Sequence, residues 1–319
     1  MGSMAKEKMK KKKGEKITPA ILWKQRWLLV MSVPFVIWLI IFKYIPLWGW
    51  TMAFQEVKPA TFALPIWERT WVGFQNFTDA FKDRLFTQTL INTLGVSFLD
   101  IAVGTIAAIA FAVLLNEMFF MKFKKVTQTI SYLPHFLSWI IVTGILHDAL
   151  SGTGIINELL VNFGILDQPL NFFAYPKYFW PIVAFANVWK ETGWNAIIYL
   201  SAITAIDPSL YEAANMDGAG RWARIKYVTL PGIKPTIMIL LLMNVGNVLN
   251  AGFEIQYLLG NGLVQSVSQT IDIYVLKWGI SQNDFSIGTA AGIFKSLVSI
   301  ILIVIANQIA KRNGEERLF

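Results

Sequence analysis

The chain has 319 residues, of which 55% are hydrophobic and only 15% charged, and its mean hydropathy is +0.50. A soluble domain carries about 25% charged residues, so this composition excludes an ordinary soluble protein. The net charge of +8 leaves a polytopic membrane protein or a nucleic-acid binder, while zero cysteines exclude disulfide scaffolds and thiolate metal sites. Two histidines, His135 and His147, also argue against a histidine-rich metal centre.

Taken in chain order, residues 1–26 form a basic tail, with KEKMKKKKGEK at its centre. The opening Met-Gly-Ser-Met reads as a cloning remnant. A lysine block can bind nucleic acid, but this one has no arginine or aromatic interleaving and directly precedes an apolar stretch. It therefore reads as a topology determinant, and no nucleic-acid partner is expected. Residues 27–84 hold a first span between Arg26 and Lys43 and then an outer loop. No small-x-small site follows the span, so it is not a cleavable signal. The loop carries Trp48, Trp50, Trp67 and Trp71, which suit a membrane–water boundary or a docking surface for an external partner.

Residues 85–310 form the core of the chain. A spanning helix needs about 20 mostly apolar residues, and five further candidates meet that need. They are Leu85–Asn116, Val126–His147, Tyr178–Ile206, Pro235–Phe253 and Phe285–Ala310. Residues 311–319 form a short basic C-terminus. The expected fold is all-α and polytopic, with six transmembrane helices. Placing the N-terminus inside puts 19 of the 28 cations on the cytoplasmic side, so the positive-inside rule sets both termini in the cytoplasm.

The loop between spans four and five, residues 207–231, is the most informative segment. Asp207-Pro208 is a helix start, a capping carboxylate followed by proline at the first helical position. Gly218 and Gly220 end that helix, and Arg221 to Tyr227 make a second. Pro231 and Pro235 are expected to restart the chain into span five. Glu212-Ala213-Ala214, then Gly218, Val228 and Leu230-Pro231 at their spacing resemble the EAA loop of permease subunits of binding-protein-dependent ABC importers. Val228 stands where isoleucine is usual. SYLPHFLSWIIV, WKETGWNAIIYL and IDPSLYEAANMDGAGR are similar to the maltose-type carbohydrate branch serving oligosaccharides and polysaccharide fragments.

That resemblance implies a type I ABC importer permease fold in a bacterial cell membrane. It also implies a second permease subunit, an external substrate-binding protein and a cytoplasmic ATPase dimer that holds ATP and magnesium. Glu212, Ala213, Ala214, Gly218, Leu230 and Pro231 would couple the chain to the ATPase. The chain itself would bind no cofactor. No GxxxxGK[ST] occurs in it, so ATP hydrolysis through a P-loop must come from the partner.

Polar side chains inside a membrane are costly and face the protein interior or water. Asn187, Lys190, Glu191 and Trp194 recur at i, i+3, i+4 and i+7, hence on one helix face. Asn244, Asn247 and Asn250 make a second stripe. Amides bond sugar hydroxyls in both directions and indole faces stack on pyranose rings, so these seven residues are the candidate substrate lining. In the maltose-type importers the sugar site lies on the helices flanking the EAA loop. Asn187, Glu191 and Trp194 match the first of these by distance, and Asn247 and Asn250 the second with a one-residue offset. Interhelical hydrogen bonding is the alternative role for the amides, and Lys190 and Glu191 could instead pair with charges on neighbouring helices. Asp100 and Lys295 are each alone in a span; they could pair with one another or with another subunit. His135, on a face with Ser131 and Ser138, reads as a packed, hydrogen-bonded residue.

The leading function is half of a heterodimeric pore for ATP-driven oligosaccharide uptake. A permease of the same fold for an amino acid or anion is the alternative, favoured only by a dense charge cluster in the pore. A membrane enzyme would need paired carboxylates, HExxH or a Ser/Lys dyad, and none is persuasive.

Overall fold

The computed structural model describes residues 23–318; the lysine-rich part of the tail lies outside the described residues. The chain divides into two units, Met1–Thr51 and Met52–Phe319. Helix α1 (Arg26–Leu39) continues through a π turn (Ile40–Tyr44) into a 3-10 segment (Ile45–Phe54). The helical path thus passes the expected end of span one at Lys43. Its wide turn ends just before Pro46. Proline lacks an N–H and crowds the carbonyl four residues back, and the widened turn makes room for it. Every residue from 23 to 48 is exposed.

In the second unit, α2 (Gln75–Lys82) leads into the long α3 (Arg84–Asn116). Then come α4 (Met121–Tyr132), α5 (Trp139–Leu150), α6 (Ile155–Asn162) and α7 (Pro176–Thr204). Two short helices follow, α8 (Pro208–Met216) and α9 (Arg221–Arg224), and then α10 (Leu230–Gly246). The last elements are α11 (Phe253–Leu259), α12 (Ile271–Leu276) and α13 (Phe285–Arg312). Among the described residues the only extended pairing is one isolated bridge between Gln55 and Trp71. The all-α polytopic class therefore stands.

Helices α3 and α7 pack along one another as the spine of this unit. Their apolar contacts fall into two clusters. One gathers Val96, Phe179, Val183 and Ala186 with Ile255 and Leu259 of α11. The other gathers Ala108, Ala112, Ala196, Tyr199 and Ile203 with Ile233 of α10. Residues 100, 187 and 191, all polar, lie between these clusters in both sequences. Segments outside the spans are tied in through hydrogen bonds: Asn92 Nδ2 donates to the Ser266 and Gln269 carbonyls, both at 2.9 Å. Trp180 Nε1 donates to the Val267 carbonyl at 2.9 Å.

Five helical stretches among the described residues are long and apolar enough to cross a membrane: Arg26–Phe54, Arg84–Asn116, Trp139–Asn162, Arg221–Gly246 and Phe285–Arg312. Helix α7, the expected fourth span, has 29 residues but falls outside this set. Its interior carries Asn187, Lys190, Glu191 and Asn195, which lower its apolarity.

Two further spans differ from expectation. Span three was expected at Val126–His147, yet the chain breaks in that interval. Helix α4 buries none of its residues and ends in a 3-10 turn, Leu133–Phe136, around Pro134. Ser138 then starts α5, its Oγ accepting from Ile141 N–H at 3.4 Å. A proline that cannot continue an α ladder and a serine cap place the break there. Span five was expected at Pro235–Phe253 after a restart at the prolines. Instead α9, a π turn at Ile225–Thr229 and α10 form one continuous helix. The Leu230 N–H reaches back to the Ile225 carbonyl, so Pro231 again follows a widened turn. The helix then stops at Gly246.

Gly193 of α7 meets the chain break directly: a Cβ added there would lie 2.0 Å from the Ser131 carbonyl oxygen. Backbone cannot yield as a side chain can. Gly193→Ala is therefore expected to destabilise the detergent-solubilised protein by about 2 kcal/mol or more, read as a fall in thermal unfolding midpoint. Gly144→Ala, with nothing within 4 Å of the added atom, is the matched control and should leave the midpoint unchanged.

Candidate functional site

One end of the bundle is organised around α8 and α9. The Asp207 carboxylate caps α8 by accepting from Ser209 N–H at 2.9 Å, and that backbone bond holds its carboxyl below the usual carboxylate range. Gly218 closes the helix at φ +77°. Its N–H donates to the Asn215 carbonyl at 3.0 Å, and Ala219 N–H donates to the Ala214 carbonyl at 2.9 Å. This pair is a Schellman closure, which requires a left-handed residue where glycine now stands. Two side-chain bonds fold α8 back on the following helix: Tyr211 to Thr229 at 3.0 Å and Arg224 to Asn215 at 3.0 Å.

The same end holds two further chain segments. Arg221 donates through Nε to Glu117 Oε2 at 2.7 Å and through Nη2 to the Glu117 carbonyl at 2.5 Å, so the loop is clasped to the end of α3. Lys234 pairs with Glu315 at 2.5 Å, tying α10 to the C-terminal segment. Glu212, Ala213, Leu230 and Pro231 are exposed, and Ala214 is half-buried. Met216 and Trp222 are 89% and 80% exposed, an apolar surface that none of the described residues covers.

Halfway along the spine, α3, α7 and α10 line an open cavity of about 230 Å³. Asp100, Thr105, Asn187, Glu191, Thr192, Asn195, Tyr199 and Asn244 supply its polar lining. Asn187 Nδ2 donates to Asp100 Oδ2 at 2.7 Å, a bond across α3 and α7. Beside the cavity lies an ion cluster. Lys190, 6% exposed, donates to the His135 carbonyl at 2.7 Å and to Glu191 Oε1 at 3.1 Å. Glu191 Oε2 meets His135 Nδ1 at 2.7 Å. The His135 ring stacks on Trp194 with centroids 4.4 Å apart. The ammonium of Lys190 thereby serves the carbonyl stranded at the Pro134 break, the kind of partner a buried polar group needs.

The two stripes read from the sequence divide accordingly. Asn187, Glu191 and Asn244 line the cavity; Lys190 and Trp194 join the His135 cluster. Asn247 and Asn250 lie beyond the end of α10, exposed, where Asn250 donates to Asn247 at 3.1 Å. Asp100 and Lys295 do not pair. Asp100 bonds Asn187, and Lys295 pairs with Asp272 of α12. Asp100, Thr105, Thr192, Asn195 and Tyr199 also line the cavity without appearing in either stripe. Asn195 was legible as the next i+4 step from Glu191, and Asp100 as a lone carboxylate inside a span. Thr192 carries no such signal.

Residues 100–314 match the family of the "Binding-protein-dependent transport system inner membrane component". The chain is 42% identical to the polygalacturonan/rhamnogalacturonan transport system permease protein YteP of Bacillus subtilis, covering 97% of this chain and 95% of that protein. It is 41% identical to protein LplB of the same organism, over 94% and 93%. Among solved structures it resembles a chain of a bacterial alginate ABC transporter, in complex with a periplasmic protein bound to alginate pentasaccharide. There the TM-score is 0.85 at 35% identity, covering 94% of this chain and 99% of that one. A clasped helical loop at one end, a polar cavity between long apolar helices, and these matches lead to one assignment. The chain belongs to the family of inner-membrane components of binding-protein-dependent transport systems.

Proposed function

We propose that this chain is one half of a heterodimeric pore that imports oligosaccharides, driven by a separate ATPase dimer and supplied by an external binding protein. The observation that carries the reading is the cavity at mid-height of α3, α7 and α10. Amides, hydroxyls and carboxylates bounded by apolar helices are what a polyhydroxylated solute needs in place of water. The names of the similar transporters, which concern polysaccharides and their fragments, support the same class. Asn187, Glu191 and Asn244 would touch the sugar from this chain, with Lys190 holding Glu191 in place. Trp194, Asn247 and Asn250 would serve the path beside or beyond the cavity, and a second permease would supply the facing wall. The protein is a pore subunit and not an enzyme; ATP and magnesium would bind to the partner ATPase.

The end of the bundle carrying α8 and α9 is assigned to the cytoplasm, together with both termini. Its cations, from Lys122, Lys124 and Lys125 to Arg312, follow the positive-inside rule. Membrane lipids would cover the exposed apolar faces of α1 and the outer sides of the other spans. Glu212 and Ala213 present an exposed helix face to the ATPase with the half-buried Ala214 beside them, and Gly218 fixes the turn that holds this face out. Leu230 and Pro231 start α10, so force applied to α8 and α9 passes into the pore helix.

Two experiments test these assignments in proteoliposomes containing the whole importer. Glu212→Ala and Gly218→Val should each lower ATP-driven uptake by about tenfold or more, with assembly verified by co-purification; intact uptake would refute coupling through this loop. Replacing Asn187 or Asn244 by leucine should weaken uptake several-fold, about one hydrogen bond's worth each. If substitutions at Asn187, Trp194 and Asn247 change neither rate nor substrate range, the sugar path lies elsewhere.

A further inference from the structure

The three helices that line the mid-height cavity reach the α8–α9 end by different routes. Helix α7 runs to Thr204 and enters α8 through the Asp207 cap. Helix α10 continues from α9 through the π turn at Ile225–Thr229. Both walls are therefore joined to the loop by the backbone itself. Helix α3 is not: its C-terminal cap, Glu117, stands 104 positions from Arg221. Among the described residues, the hydrogen bonds between segment 207–229 and the end of α3 are those of Arg221 alone. Apolar contact also runs along this seam, with Ile225 packed against the cluster that holds Ala112 and Val113. Packed helices can slide on such contacts, whereas a guanidinium fork fixes a position.

The make-up of the clasp is not explained by α3 on its own. Glu117 lies at the C-terminus of α3, where the helix dipole disfavours an anion. A helix end of this kind calls for a cation and for a donor to its free carbonyls. Arg221 supplies both, through Nε to Glu117 Oε2 at 2.7 Å and Nη2 to the Glu117 carbonyl at 2.5 Å. Its guanidinium also lies over the Phe119 ring, 5.2 Å from the centroid. One half-exposed side chain is thus held at three points, all on the segment that ends α3.

We propose that Arg221 and Glu117 are positioning residues for transport: their clasp carries movement of α8 and α9 into α3, so that all three cavity walls shift together. The proposal deepens the coupling role assigned to this loop and rests on it. Without the clasp, α7 and α10 would follow the loop while α3 lagged, and ATP would be hydrolysed with less solute moved.

The test uses the whole importer in proteoliposomes, with its second permease, ATPase and binding protein. Two labelled probes are supplied, tetragalacturonate and maltotetraose, one acidic and one neutral. The quantity read is uptake per ATP hydrolysed for whichever probe is taken up. Glu117→Gln removes the anion, keeps the size and leaves Arg221 in place; it is expected to lower the ratio about fivefold or more. A contact that only supports the fold would lower uptake and hydrolysis together and leave the ratio fixed. Exchanging the charges, Glu117→Arg with Arg221→Glu, should recover part of the lost ratio, whereas Arg221→Glu alone should not. If the exchange recovers nothing, the effect is not the clasp's and the proposal falls. A ratio within about twofold of the unaltered chain in assembled Glu117→Gln importer also overturns it. The coupling reading then stands if Glu212→Ala still lowers uptake, and falls as well if that variant does not. Failure of both Glu117→Gln and the exchanged pair to assemble makes the clasp a folding contact, which overturns the proposal too.

Discussion

A carboxylate halfway along a membrane helix must find its partner on another helix, and Asp100 finds Asn187 at 2.7 Å. That bond sits on the longest helix pair of the core, between an apolar cluster around Val96 and Val183 and another around Ala108 and Tyr199. Apolar contact alone would give α3 and α7 little reason to choose one register, because lipid tails are as apolar as leucine. Polar pairing at mid-height supplies the register. It also opens the gap that the cavity occupies, since side chains that must reach each other here are short and cannot fill the space.

The second constraint is the break at Pro134. A carbonyl freed inside a membrane costs several kcal/mol unless something bonds it, and Lys190 does so for His135. Lys190 then needs an anion, which Glu191 provides, and Glu191 in turn bonds the His135 ring. Gly193 lets α7 approach closely enough for these contacts to form. Four polar groups thus settle one another's requirements around a single interruption of the helical ladder.

The sequence made the helical class, most spans and the loop at 207–231 legible, because apolar runs and capping residues act locally. Asp207-Pro208 and Gly218 do in the structure what their chemistry demands at those positions. What was not legible depended on long-range pairing. Asp100 and Lys295 are complementary in charge, yet each has a nearer partner, Asn187 and Asp272, from segments whose proximity no local pattern reveals. Helical periodicity grouped Asn187, Lys190, Glu191 and Trp194 correctly as neighbours. It could not tell that the cavity takes one edge of that face and the Pro134 break the other. Asn247 and Asn250 do not share a helix face with Asn244, because α10 stops at Gly246, where three residues of turn replace a helix that hydropathy alone would continue.

The π turn at Ile225–Thr229 has a rotational meaning. A π turn takes up one residue more than an α turn within the same helix, and each residue of an α-helix advances about 100° around the axis. The extra residue therefore sets the angular phase between the clasped end, fixed by Arg221 on Glu117, and the wall of the cavity, which Asn244 helps to line. Were the turn to tighten into regular α-helix, one end would have to rotate by roughly a quarter turn relative to the other. The angle of the clasped loop and the bearing of Asn244 are thus linked through a single widened turn, about 25 Å along the helix from that side chain.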